Sequence, residues 1–139
     1  MENKVSKATM STLPKIVAVD FDGTLVEDKF PEIGRPRVNM IQAVKQLQAA
    51  GVRVVLWTCR DHDSLKTAVD WCREEHGLIF DAVNENVAEV QQMFNNDTRK
   101  VYADLYIDDK ASSFMSNPYE WAQRLGMQYH KTGGFINAF

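Results

Sequence analysis

The stretch Lys15–Asp28, KIVAVDFDGTLVED, decides the reading of the chain. It carries a short β-branched run from Ile16 to Val19 straight into two carboxylates one residue apart, Asp20 and Asp22, and then a glycine. A run of that length and composition is what a central parallel strand, buried on both faces, requires. The acids at its end fall where open α/β sheets bind ligands, outside the carboxyl ends of the strands.

The pattern downstream repeats the theme. From Pro36 to Ala50 the apolar positions Met40, Ala43, Val44 and Leu47 recur at i, i+3, i+4 and i+7, with Pro36 suited to a first turn and Gly51 to a stop. VRVVLW then reads as a second buried strand. After the polar loop TCRDHD, a helix with Leu65, Ala68, Val69 and Cys72 on one face ends before Gly77. LIFDAV predicts a third strand, Glu85 to Phe94 a helix, DLYID a fourth strand, Tyr119 to Leu125 a last helix and MQYH a closing strand. Strands alternating with helices imply right-handed βαβ units: a three-layer α/β/α sandwich around a central parallel, Rossmann-like sheet.

Residues 1–13, polar and without periodicity, read as a flexible leader, and residues 14–139 as one domain. GTLVEDKFPEIGR, between the first strand and first helix, predicts a short hairpin flap over about residues 24–35 with its turn at Pro31 to Gly34. The C-terminal HKTGGFINAF, with two consecutive glycines, reads most simply as a disordered tail.

Composition narrows the class. The chain has 139 residues, 45% hydrophobic and 25% charged, enough for one core and too few for a comfortable second. Sixteen basic against nineteen acidic residues give a net charge of −3, so no basic field favours a nucleic-acid backbone. No run approaches the roughly 20 apolar residues of a membrane helix, and the N-terminus lacks an export signal. The expectation is a cytoplasmic protein that does not touch membrane. Cys59 and Cys72 are too few for a disulfide framework, and Cys72 falls on the apolar side of its helix.

The strand ends carry the chemistry. Asp20 and Asp22 follow the first strand, Thr58 the second, and Asp108 and Asp109 the fourth, so parallel strands bring four carboxylates to one crevice. Like charges that close raise one another's pKa, and a divalent cation relieves the conflict. An all-oxygen donor set suits a hard ion such as magnesium. Magnesium, a hydroxyl, a lysine and a spare carboxylate together are equipment for phosphoryl transfer.

DFDGTL, with the hydroxyl ending VVLWT and the acidic pair in YIDD, closely resembles the haloacid dehalogenase superfamily of aspartate-nucleophile phosphohydrolases, over about residues 15–130. The resemblance implies a magnesium-dependent phosphomonoester hydrolase. Asp20 would be the nucleophile and a magnesium ligand. Asp22 would be the general acid and base, with its main-chain carbonyl on the metal. Thr58 would hold a phosphoryl oxygen, and Asp108 and Asp109 would bind or orient the ion. The family's phosphate-binding lysine is assigned to Lys100 ahead of Lys110. In a fully extended chain at about 3.3 Å per residue Lys100 would lie roughly 26 Å from Asp108, so this assignment requires DTRKVYA to form a helical turn capped by Asp97 or Thr98.

Many relatives carry a large cap domain; the insertion points here offer only the flap and NENVAEVQQMFNNDT. So open a site suits a bulky phosphorylated substrate, or a small one enclosed by a second subunit of a homo-oligomer. The acidic pI, near 5.6, weighs against nucleic acid. Arg60 and His62 read either as substrate contacts or as a solvated loop, and the three tryptophans as packing residues. Two rival classes fit the sequence less well. A phospho-accepting receiver domain has its acidic pair at the first strand, the reverse of this order. A non-catalytic, regulatory phosphate- or metal-binding protein would have substitutions among Asp20, Asp22, Thr58 and Asp108, and there are none.

Overall fold

The computed structural model describes residues 15–111, 127–130 and 134–137. Four parallel strands, β1 (Ile16–Val19), β2 (Arg53–Leu56), β3 (Ala82–Val83) and β4 (Leu105–Ile107), form one sheet in the order β3-β2-β1-β4. Three helices connect them: α1 (Val38–Ala49), α2 (His62–His76) and α3 (Ala88–Phe94). The register pairs Val17 with Val54 and with Leu105, so β1 is central and its four residues are buried.

Side-chain alternation divides the core between the two faces. Val17, Val19, Val54 and Leu56 pack with Met40, Ile41, Val44 and Leu47 of α1 and with Ala68 and Cys72 of α2. Ile16, Val55 and Ala82 pack on the other side with Val90 of α3, Val87 and Val101. Helices therefore cover both faces. None of them is long and apolar enough to cross a membrane, among the described residues.

The chain winds outward from β1 to β2 and β3, then returns to place β4 on the far side of β1. That reversal makes the carboxyl ends of β1 and β4 the switch point of the sheet.

Several elements differ from the sequence expectation. Helix α1 starts at Val38, because Pro36 is held in an antiparallel bridge with Val26. Only Ala82 and Val83 of LIFDAV form strand. Leu78 is taken by the end of α2, where Gly77 adopts φ +65° and Leu78 donates its amide to the Cys72 carbonyl. The flap is a loose hairpin, with Glu27 N–H bonded to Arg35 O and Arg37 N–H to Leu25 O. Its turn lies at Lys29 to Glu32, not at Pro31 to Gly34.

MQYH is a strand, β5 (Met127–His130), but it does not extend the parallel sheet. It pairs antiparallel with β6 (Gly134–Asn137), so the tail read as disordered contributes a strand. The expected leader and the expected helix at Tyr119 to Leu125 lie outside the described residues.

Candidate active site at the carboxyl ends of the strands

Backbone pairing carries Asp20 to the site. Its N–H continues the ladder by donating to Ile107 O at 2.9 Å, while Trp57 N–H bonds to Val19 O at 2.8 Å. The carboxylate thus leaves the sheet where β1 lies between β2 and β4. One oxygen each from Asp20, Asp108 and Asp109 lie within 4.8 Å of one another. The three acids line a cavity of about 350 Å³ together with Asp22, Thr58 and Lys110. Asp28, Phe30, Cys59 and Arg60 complete its wall.

Thr24, fully buried, ties the two strand ends together. Its hydroxyl donates to Asp20 Oδ2 at 3.2 Å and accepts the Asp109 N–H at 3.0 Å. Gly23 (φ +87°) makes the close approach possible, since a Cβ there would overlap the Asp109 carboxylate. Asp108 Oδ1 accepts the Lys110 N–H at 2.9 Å, a tight turn that brings Lys110 back over the cavity with Nζ 3.6 Å from Asp109.

Burial, then the charge of Asp108, and to a lesser degree that of Asp109, push the Asp20 carboxyl up to about 7, against the opposing hydrogen bonds from Phe21 N–H and Thr24. The group binds its proton more tightly in the folded than in the unfolded chain. The stability it contributes is therefore present in acid and lost as pH rises from about 4 through about 7. Three carboxylate oxygens at this spacing fit a hard cation, which must displace that proton. Magnesium affinity is expected to weaken about tenfold per pH unit below 7, read by titration calorimetry at pH 5.5 and 7.5. Equal affinity at both would remove Asp20 from the donor set.

Thr58 lies where the sequence predicts, at the end of β2. Its N–H donates to Asn84 Oδ1 at 2.8 Å and its Oγ1 accepts the Arg60 N–H at 3.1 Å, which leaves the hydroxyl proton free to donate into the cavity. Thr58 can thus cap its own loop and still hold a phosphoryl oxygen. Asn84, at φ +54° beyond β3, is the support that the sequence reading did not single out.

One expectation needs correction. Lys100 does not line the cavity: DTRKVYA forms no helical turn, Asp97 accepts instead from Asn86 N–H and Nδ2, and the Lys100 ammonium lies 5.7 Å from the Tyr106 ring centre. Lys110 takes the place at the site. Asp22 lines the cavity, but its side chain lies outside the three-oxygen cluster. Both its oxygens are held by Arg60, with Nε–Oδ2 2.7 Å and Nη2–Oδ1 2.8 Å. One of the four charges is thus compensated within the protein.

Arg60 is neither of the things its sequence context suggested. Its side chain is fully buried, whereas His62 is exposed and paired with Asp61. The signal for Arg60 was absent because its partners lie in the β1 loop, the flap and the first turn of α2. For Thr24 the signal was present, a hydroxyl four residues after Asp20, and was not used.

The two cysteines differ in a way that can be measured. Cys59 is exposed in the cavity wall, while burial pushes the Cys72 thiol up to about 12. One thiol is expected to react with Ellman's reagent in the native protein and both in denaturant. Two native thiols would contradict the packing of α2.

No family model matches the chain, and no curated protein does. The fold is similar to a solved structure described as that of a conserved protein coded by a locus of Bacteroides thetaiotaomicron, with a TM-score of 0.70 and 36% sequence identity. The match covers 80% of this chain and 88% of that one. At that identity over nearly the whole of the Bacteroides protein, the chain belongs to the same family as that conserved protein.

Proposed function

We propose that the chain is a magnesium-dependent phosphomonoester hydrolase of the haloacid dehalogenase type, working through a phosphoryl group carried on Asp20. The observation that carries this reading is the meeting of Asp20, Asp108 and Asp109 at the sheet's switch point, in a cavity also lined by Thr58 and Lys110. Bound there by Asp20, Asp108 and Asp109, magnesium would supply charge neutralisation for a phosphoryl group.

The chain's own residues divide the remaining work. A free oxygen of Asp20 bonds to phosphorus as the ester P–O bond breaks, and the departing alcohol oxygen takes a proton from Asp22. Water then gives a proton back to Asp22 and bonds to phosphorus as the Asp20–P bond breaks, which releases phosphate and restores both acids. Thr58 Oγ and Lys110 Nζ donate to the phosphoryl oxygens throughout. The small flap leaves the cavity accessible to sugar phosphates, nucleotides and phosphorylated protein side chains.

The test is phosphate release, with and without magnesium, from a panel of these esters and phosphate-ended oligonucleotides. Magnesium-dependent release from at least one is expected. Magnesium binding with no release from any would favour a non-catalytic binding protein.

A further inference from the structure

Arg60 accounts for every donor it has. Nε–H and one Nη2–H go to Asp22, the other Nη2–H to Glu32 O at 2.8 Å, and the two Nη1–H groups to Pro31 O and Ser64 O, each at 3.1 Å. A guanidinium has five N–H donors in a fixed fork, and here all are satisfied. The Phe21 and Phe30 rings also lie 4.9 and 5.2 Å from its central carbon. Such a group has one orientation available to it.

Two of these contacts reach the reacting centre. Asp22 lines the cavity beside Asp20, and Phe30, 57% exposed on the flap, lines its mouth. Among the described residues, the Asp22 carboxylate accepts hydrogen bonds from Arg60 alone.

We infer that Arg60 is a positioning residue that locks the flap to Asp22, so that a leaving group resting on Phe30 and the carboxylate that serves the proton transfers are held by one guanidinium. The inference rests on the phosphatase reading above. Each Asp22 oxygen keeps a lone pair while it accepts from Arg60, so the paired carboxylate still has room to take the proton of an attacking water. Lysine, with three donors and no fork, cannot reproduce the arrangement.

The test uses p-nitrophenyl phosphate and magnesium with Arg60→Lys, with Asp20→Asn alongside. Loss of an oriented base is expected to lower kcat about 10²-fold and KM along with it, with kcat/KM within about threefold, because only the second step is slowed. A burst of nitrophenolate should remain, because phosphoryl transfer to Asp20 outlasts the failure to hydrolyse it. Burst and steady-state rate falling together, or unchanged turnover, would overturn the assignment. Release that survives in Asp20→Asn would instead remove the parent reading.

Hydrogen exchange decides the coupling without any turnover. The flap amides of Glu27 and Glu32 are expected to exchange faster in both Arg60→Lys and Asp22→Asn, with β1 and β2 protected as before. A flap unaffected by Asp22→Asn would overturn the lock.

Discussion

Asp20→Asn is expected to abolish magnesium-dependent phosphate release, a loss on the order of 10⁴-fold or more, as when other covalent nucleophiles are removed. The amide keeps the size of the side chain, and its backbone N–H keeps the bond to Ile107 O that joins β1 to β4. The loss should therefore come without unfolding. The stability change has a definite sign. Ionised Asp20 is disfavoured by burial and by its acidic neighbours, so without magnesium the variant should melt higher than the parent protein at pH 8 and show little difference at pH 4. Thermal melts at the two pH values check this. A variant that melts lower at pH 8 would mean that Asp20 holds the fold together through contacts other than those described.

Gly23→Ala should damage activity less, but through a different link. The position has φ +87°, where a side chain costs about 1–2 kcal/mol. Its Cβ would also occupy the space of the Asp109 carboxylate. Asp109 must then move, and with it the third oxygen of the cluster and the N–H bonded to Thr24. Displacement of about 1 Å at a reacting centre costs about 10²-fold. Magnesium affinity and turnover should fall together while the protein still unfolds cooperatively, at a somewhat lower urea concentration because Phe21 and Leu25 of the core flank the strained position. Calorimetric titration beside a urea melt separates the two effects. Full magnesium affinity in the variant would show that Asp109 is not a ligand.

The fold was legible where local patterning and burial agree. IVAV has no polar residue and lies at the centre of the sheet; the Met40 and Leu65 series have helical spacing and form the two helices on one face. Legibility failed where a residue's fate depends on distant chain. LIF reads as strand, but Leu78 closes the end of α2 and Ile79 is exposed, so β3 shrinks to two residues. MQYH was recognisable as strand, yet nothing local indicates that its partner is GFIN instead of the parallel sheet.

The site divides in the same way. Asp20, Asp22, Thr58, Asp108 and Asp109 were found because each follows a strand, and parallel strands end together. Lys100 was misplaced because its position depended on a helical turn, and the buried amides of Asn86 claim Asp97 before it can cap one. Arg60 was left between two readings because a buried, fully satisfied arginine looks like any loop charge until Asp22, Pro31, Glu32 and Ser64 are seen around it.

Carriage of phosphorus on Asp20 is the step on which the proposed reaction depends. It is tested most directly by mixing the protein with magnesium and p-nitrophenyl phosphate, quenching in the burst, reducing with borohydride and sequencing the peptides by mass spectrometry. Reduction converts an aspartyl-phosphate to homoserine. Homoserine is expected at position 20 and at no other aspartate. Turnover with aspartate intact at position 20, or homoserine at another position, would contradict it.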